Sequence, residues 1–445
     1  MANTGKAYIE TFGCQMNERD SEIMGQLLCR SNYQLTREID EADLVVVNTC
    51  SIRGKAEQKA MSLLGSLKRS KINNPGLIIA MTGCVAQQEG NNILARMPHV
   101  DLVVGPQNIY RLPELVQSVS EGADRRTAIS QSDSFEIPSF IPDLESSAVG
   151  HKKFVTIMQG CNNFCTYCVV PHTRGREVSR PPDHIADEIR NLLKAGVKDI
   201  TLLGQNVNSY GLDRPAGSYP DFPELLKMVA GIDGVERLRF TTSNPKDLSE
   251  KLMACFSELA NLCPHFHLPV QSGSNAVLKK MNRKYTIEEY LEKVSGLRKY
   301  SPEIAITTDI IVGFPGETDG DFAMTMQLLE NVRYHGAFSF KYSDRPKTVS
   351  ATFKEKVAET VKSERLRRLQ ARQQEITVER YQEYVGQTLQ VMIEGESRTG
   401  DGQWSGRTTT NQIVNFAGKP ELAPGQTHEA LIEEACQHSL RGKLV

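Results

Sequence analysis

The chain opens with short, largely apolar runs that alternate with stretches of helical period. Apolar, often β-branched runs at 6–11, 44–47, 77–81 and 100–104 predict four strands, and 18–31, 54–69 and 89–96 carry the spacing of helices. Strands that lack alternating polar positions are buried on both faces, so a parallel sheet covered by helices is expected over residues 1–118. Residues 119–150 lose the pattern. They are rich in Ser, Asp, Glu and Pro and read as an interdomain linker or a strap over a neighbour. From 151 to 382 the alternation resumes, with strands at 153–158, 199–203, 236–241, 265–270, 304–312 and 337–342. Helices fall between them at about 182–195, 222–231, 247–260, 286–299 and 318–331. Six strand–helix units predict a partial (β/α)6 barrel whose chemistry lies at the carboxyl ends of its strands. A helix over 354–384 carries Arg365, Arg367, Arg368 and Arg372 among glutamates, which suits a solvated face or an RNA contact. Short strands and turns over 383–445 predict a small β-barrel.

Composition narrows the class. The 445 residues are 39% hydrophobic and 24% charged, and no apolar run approaches the roughly 20 residues that span a bilayer. The segment MANTGKAYIETFG lacks the apolar core of a signal peptide, so a cytoplasmic protein without a membrane partner is expected. Ten cysteines in such a chain point to metal or redox chemistry rather than to a disulfide framework. A net charge of −2 leaves any nucleic-acid binding to local patches. The C-terminal unit adds no basic surface, with five Lys/Arg against seven Asp/Glu from residue 385 onward.

The cysteines fall into two sets. Cys161, Cys165 and Cys168 follow a strand at C-x3-C-x2-C spacing, close enough to hold one metal centre from a single loop. Iron–sulfur clusters are normally held by four cysteines, so three leave one iron open to a small molecule. Cys14, Cys50 and Cys84 each lie just past the end of a different predicted strand. Such ends line one edge of an α/β sheet, where the three thiols converge on a metal or cluster. Taken singly, each also suits a small buried hydrophobe. Cys29, Cys255, Cys263 and Cys436 share no spacing and read as buried or incidental. Turns at 203–206, 241–244, 270–274 and 309–316 combine glycine with amides and hydroxyls, and together make a small-molecule pocket at the barrel rim. Trp404 could stack on a base, although packing inside the small barrel suits it better.

The cysteine loop, with Tyr167 before its third cysteine, resembles the radical S-adenosylmethionine (SAM) superfamily. Over essentially the whole chain, Phe12-Gly13-Cys14-Gln15-Met16-Asn17, Asn48-Thr49-Cys50-Ser51-Ile52-Arg53 and Gly83-Cys84-Val85-Ala86-Gln87-Gln88 resemble the methylthiotransferase family. So do Thr173-Arg174-Gly175-Arg176-Glu177 and His267-Leu268-Pro269-Val270-Gln271-Ser272-Gly273, and the nearest branch is the one acting on N6-dimethylallyl-adenosine of tRNA. The resemblance implies a flavodoxin-like N-terminal domain holding an auxiliary [4Fe–4S] cluster through Cys14, Cys50 and Cys84. It implies a SAM-cleaving [4Fe–4S] cluster on Cys161, Cys165 and Cys168, and a C-terminal TRAM domain that contacts tRNA. The implied reaction is methylthiolation of C2 of that adenosine, next to the anticodon. SAM would serve as methyl donor and as source of a 5′-deoxyadenosyl radical, and sulfur would come from the auxiliary cluster.

On that reading Gln205, Ser243 and Gln271 meet SAM's polar atoms, the 309–315 turn with Asp309 and Phe314 meets its adenine or ribose, and Tyr167 packs near the adenine. Arg174, Arg176 and Arg180 become phosphate contacts, or else pair with local carboxylates such as Glu177 and Asp183. Further partners would be an electron donor such as a flavodoxin or ferredoxin, and iron–sulfur assembly or carrier proteins. No acid–base residue is assigned beyond the clusters. His172 and Asn244 depart from the family pattern, where tyrosine and histidine are common. Two rival readings stand beside it. One is a sister methylthiotransferase acting on threonylcarbamoyl-adenosine of tRNA or on a ribosomal-protein aspartate. The other is a non-enzymatic RNA-binding protein with structural zinc.

Overall fold

The computed structural model describes residues 5–51, 54–132, 134–140, 150–397, 400 and 402–445. Ile52 and Arg53 of the second motif, Asp401 of a C-terminal turn, and parts of the N-terminal segment and of the 119–150 stretch lie outside them.

Burial on both faces organises the first sheet. Strands β1 (Gly5–Phe12), β2 (Tyr33–Leu35), β3 (Leu44–Thr49), β4 (Ile78–Gly83), β5 (Leu102–Val104) and β6 (Arg126–Ala128) lie in the order β2-β1-β3-β4-β5-β6. Every pair is parallel, and each residue of β3 and β4 is buried. The order reverses between β1 and β3, the topology of flavodoxin-like folds. Helices Gln15–Cys29 and Leu112–Ser120 cover one face, and Gly54–Asn73 covers the other.

Two strands of this sheet were not expected. β2 and β6 are three-residue edge strands with polar side chains, which is how edges are commonly protected and why no apolar run announces them. β6 lies inside the stretch read as linker or strap. The strap reading is the better one there, because Ile137 and Phe140 just beyond it are buried and Phe140 packs on the sheet's core. The helix expected at 89–96 is two short ones, Cys84–Glu89 and Asn91–Arg96, broken where Gly90 takes a φ of +50°.

The second unit begins with β7 (Lys152–Thr156), followed by β8 (Met158–Gln159) and β9 (Val178–Ser179), an antiparallel pair that closes the base of the cysteine loop. Next come β10 (Asp199–Leu203), β11 (Arg237–Thr241), β12 (His265–His267), β13 (Ala305–Val312) and β14 (Gly336–Lys341). They form parallel sheets β11-β10-β7 and β12-β13-β14, joined at a Leu238–Leu262 bridge into a six-stranded partial barrel. Its core lies between strands and outer helices, where Phe222, Phe240 and Phe266 meet edge to face at 5.1 and 5.3 Å. The helix Glu359–Gln382 braces this barrel, with Arg365 paired to Glu317 and Asp319 and Arg372 to Glu330, Glu375 and Glu379. Those two arginines are structural braces, which removes them from the RNA reading.

Strands β15 (Thr388–Glu396), β16 (Gln403–Thr408), β17 (Ile413–Ala417), β18 (Thr427–Ala435) and β19 (Leu440–Leu444) close a C-terminal barrel in the order β15-β16-β17-β19-β18. Trp404 packs against its core. This barrel docks at the amino ends of the larger barrel's strands. Arg237 donates to the Arg407 carbonyl at 2.6 Å, Arg239 to those of Thr408 and Thr409 at 2.9 and 3.0 Å, and Lys152 to Glu394 at 3.1 Å.

Burial opposes ionisation of Glu394, yet the Arg407 hydrogen bond and charge, helped by Lys152, bring its pKa down to about 2. Because the folded value lies below the ordinary 4.5, this contribution is full above pH 4.5 and fades as pH falls toward 2. Acidification through that window should loosen the C-terminal barrel, read as faster amide exchange along β15, and Glu394→Gln should flatten that dependence.

Candidate active site

The loop after β7 is held open for its cysteines by backbone bonds. Gly160 has a φ of +82°, and a Cβ there would lie 1.9 Å from the Arg176 carbonyl oxygen, so only glycine fits. The amide of Cys161 donates to the Gly175 carbonyl at 3.2 Å, and that of Cys168 to the Cys165 carbonyl at 3.0 Å. Asn282 donates to the Phe164 carbonyl at 2.9 Å, anchoring the loop tip on the far side of the barrel. Two donors reach the sulfurs: Asn163 Nδ2 at 3.5 Å from Cys161, and Arg283 Nη1 at 3.4 Å from Cys165. Burial pushes the Cys161 thiol up to about 11 and, with the neighbouring cysteines, the Cys168 thiol up to about 12. Metal binding at this loop therefore releases protons as the thiolates form.

The other three cysteines meet at the carboxyl edge of the first sheet. Cys14 follows β1 and caps the helix Gln15–Cys29, Cys50 follows β3, and Cys84 begins the helix Cys84–Glu89 after β4. Adjacent strands lie about 4.8 Å apart, so β1, β3 and β4 bring the thiols within one small site. Cys14 is lowered to about 6 by hydrogen bonding with Cys50, against burial and with help from the Arg174 charge. Burial raises Cys84. Asn17 and Asn48 fix the geometry: Cys14 Sγ donates to Asn17 Oδ1 at 3.2 Å, and Asn17 Nδ2 to Asn48 Oδ1 at 3.1 Å. Gly83, at a φ of +91°, leaves room that a Cβ would take from Asn48 Oδ1, 2.4 Å away.

The site's chemistry fits a cluster. The hydroxyls of Thr49, Ser51 and Thr82, buried beside Cys50 and Cys84, have no hydrogen-bond partner in the protein. Such donors suit sulfide and thiolate acceptors, whose hydrogen bonds tune clusters. Among the described residues no three His, Cys, Asp or Glu side chains close around a single metal ion.

The two triads belong to contacting elements. The helix Cys84–Glu89 packs on Val170–Thr173, the short helix directly after Cys168. Beneath this contact runs a buried ionic seam. Arg174 Nη2 lies 2.6 Å from Asp20, Glu188 joins Arg19 to Arg180, and Glu22 joins Arg19 to Lys153. Arg174 and Arg180 are only 3% and 2% exposed, which overturns their assignment to tRNA phosphates. Their partners are Asp20 and Glu188 rather than Glu177 and Asp183. Arg176 alone of the three is exposed, with its guanidinium over the Phe164 ring.

The rim turns are linked in sequence around the barrel mouth. Gln205 Oε1 accepts from the Gly160 amide at 2.6 Å, and the Val207 amide donates to the Thr242 carbonyl. Gln271, at a φ of +74°, donates its amide to Asp309 and accepts from the Ile311 amide through its carbonyl. Ser243 Oγ, Asn206 Oδ1 and Asn208 Oδ1 are buried there without partners, polar atoms suited to a ligand such as SAM. Tyr167 packs against the cluster of Val277, Met281, Phe314 and Tyr342. The Phe314 ring is fully buried between Tyr342 and Phe353, so it braces its turn and is not a ligand contact. Asn244 caps the following turn through Lys246 N, and His172 stands exposed at the end of its short helix.

Sequence reasoning missed Arg283, whose partner Cys165 lies 118 residues away; Asn17 and Asn48 stood in the motifs without a role, and the bond that joins them spans 31 residues. Sequence reasoning also missed Phe338 and Phe340 on β14, 55% and 39% exposed, which pair in register with Asp309 and Ile311 on the lumen face. Large exposed rings at an open lumen mark a contact surface.

Residues 6–105 match the family described as Uncharacterized protein family UPF0004, residues 155–329 the Radical SAM superfamily, and residues 382–445 the TRAM domain. In fold the chain is similar to the radical S-adenosylmethionine methyltransferase TsrM from Kitasatospora setae. The TM-score is 0.58 at 14% identity, over 78% of this chain and 75% of that one. It is also similar to the cobalamin-dependent S-adenosylmethionine radical enzyme OxsB, with a TM-score of 0.52 at 13% identity over 83% and 56%. Fold, site and superfamily match define a radical SAM enzyme. Curated relatives named tRNA-2-methylthio-N(6)-dimethylallyladenosine synthase are 58% identical in Desulfotalea psychrophila (98% of each chain) and 50% in Geobacter metallireducens (98% of each). Another, from Citrifermentans bemidjiense, is 47% identical over 100% of both chains. The chain belongs to the tRNA-2-methylthio-N(6)-dimethylallyladenosine synthase family.

The fit of Gly160 makes a first test of the loop. Gly160→Ala should cost the cluster at Cys161, Cys165 and Cys168 and spare the other, so iron in reconstituted protein should fall by about four per chain.

Proposed function

We propose that this protein methylthiolates C2 of N6-dimethylallyl-adenosine in tRNA, next to the anticodon, with two [4Fe–4S] clusters and SAM. The observation that carries this reading is the contact between the helix begun by Cys84 and the helix that follows Cys168, which sets both thiol triads at one interface. Cys161, Cys165 and Cys168 hold the SAM-binding cluster, and Cys14, Cys50 and Cys84 hold the auxiliary one. When bound, this pair with SAM supplies one-electron cleavage of a sulfonium bond and a methylated sulfur, the hard chemistry that proteins delegate to cofactors.

The chain's own part is placement and exclusion of water. Ser243, Gln271 and Asp309 offer polar contacts to SAM at the rim, Gln205 holds the cysteine loop, and Tyr167 supplies an apolar wall beside Cys168. Arg283 and Asn163 orient Cys165 and Cys161. Phe338 and Phe340 give the substrate base and its prenyl group an apolar face on the lumen. Arg176 beside Phe164 is the exposed cation that meets the RNA backbone. We assign residues 1–118 with β6 to the auxiliary-cluster domain, 151–382 to the radical SAM domain and 383–445 to a tRNA-contacting TRAM domain. A flavodoxin or ferredoxin supplies electrons, assembly or carrier proteins supply the clusters, and the cytoplasm is the setting. Among the described residues no helix is long and apolar enough to cross a membrane.

Anaerobic incubation with prenylated and unprenylated anticodon stem-loops, followed by nucleoside mass spectrometry, should give the C2-methylthio product from the prenylated stem-loop only. Product from threonylcarbamoyl-adenosine alone, or from a protein aspartate, would give the function to a sister enzyme. Metal analysis should give about eight iron and eight sulfide per chain, whereas zinc without sulfide would end the radical reading. Cys161→Ala should abolish SAM cleavage, and Cys14→Ala should retain it while losing the methylthio product. Phe338→Ala should narrow the preference for prenylated over unprenylated stem-loops by roughly tenfold, the scale of one buried apolar group in a specificity pocket.

A further inference from the structure

We propose that Arg174 is a positioning residue for the auxiliary site, a buried cation whose charge sets the reduction potential at Cys14, Cys50 and Cys84 and is counterbalanced by Asp20. The inference rests on the reading that a cluster is bound there. Its physical basis is the state of one guanidinium. Nη2 is held by Asp20 at 2.6 Å, while Nη1 is buried without a hydrogen-bond partner in the protein. A buried guanidinium donor is seldom left unmet unless it serves an acceptor of another kind. The thiols of Cys84 and Cys14 lie in the field of this charge, and Arg174 comes from the opposite domain.

The backbone holds Arg174 firmly. Its amide donates to the Val170 carbonyl at 2.8 Å, and its carbonyl accepts from Gln107 and Gln159, each at 3.5 Å. The next residue, Gly175, accepts from the amide of Cys161. The adjacent residues Arg174 and Gly175 therefore link the two sites, Gly175 holding the radical SAM loop through its carbonyl and Arg174 bringing its charge to the auxiliary triad.

Net charge and hydrogen bonds to sulfur set the potential of an iron–sulfur cluster. A fixed cation beside three thiolates favours the reduced, more negative state, and a carboxylate beside that cation offsets it. The two side chains should thus act with opposite sign, which a merely structural pair would not do.

The test uses the full chain with Cys161, Cys165 and Cys168 replaced by Ala, reconstituted with iron and sulfide and titrated by electron paramagnetic resonance. This background should hold about four iron per chain. Failure to hold any would sink the two-cluster reading itself, a result distinct from failure of the present proposal. Arg174→Gln should lower the midpoint potential and Asp20→Asn should raise it, while Arg174→Lys should stay near the parent value. If Arg174→Gln cannot hold iron, the Asp20→Asn and Arg174→Lys midpoints decide. Midpoints that do not move, or that move in the same direction for both charge changes, overturn the assignment.

Discussion

The seam of buried charge between the first helix and the larger barrel is the constraint on which the rest depends. Arg19, Asp20 and Glu22 occupy one turn of the helix that Cys14 caps, and they face Lys153, Arg174, Arg180 and Glu188. Buried ion pairs add little net stability, because desolvation offsets their attraction. Their value lies in specificity, since removing one partner strands the other at a cost of about 3–5 kcal/mol. An apolar interface could slide by a residue, and this one cannot. Phe140 caps the seam, its ring under the guanidinium groups of Arg19 and Arg30 at 5.4 and 5.5 Å. Register at the seam is register at Cys14, one helical turn away.

Given that docking, strand direction does the remaining work. Parallel strands present their carboxyl ends together, and in both units the cysteines leave from those ends. One domain contributes three thiols from three strands, and the other three thiols from one loop. Either arrangement alone is an ordinary metal site. The contact between Cys84–Glu89 and Val170–Thr173 brings the two arrangements to one interface. The unmet hydroxyls of Thr49, Ser51 and Thr82 on one side and Ser243 on the other supply donors on both flanks.

Most of the fold was legible because its central strands are largely apolar and buried on both faces, as β3 and β4 are throughout. The missing strands β2, β6, β9 and β19 are short or polar and gain their identity only by pairing with a neighbour. The six proposed ligands were legible because spacing and strand ends constrain them locally. Arg174 and Arg180 were misassigned for the opposite reason. A run of arginines reveals charge, but the carboxylate that takes Arg174 lies 154 residues away in the other domain. Phe314 shows the same limit, since a motif can mark a turn without revealing which of its side chains face inward. Phe338 and Phe340 looked like ordinary strand residues, and only the incomplete barrel leaves their lumen face uncovered.

The C-terminal barrel adds a geometric constraint on the RNA. It is fastened by Arg237 and Arg239 to backbone carbonyls at the amino ends of the strands, whereas the cysteines lie past the carboxyl ends. A five-residue strand at about 3.3 Å per residue separates the two levels by roughly 17 Å. An RNA that touches both must pass along the barrel's flank, which a folded stem-loop can do and an isolated nucleoside cannot. The near-neutral charge of that small barrel then ceases to count against it. The contact proposed for it would be a second point at a defined distance, which would make recognition depend on the shape of the folded RNA as well as on the modified base.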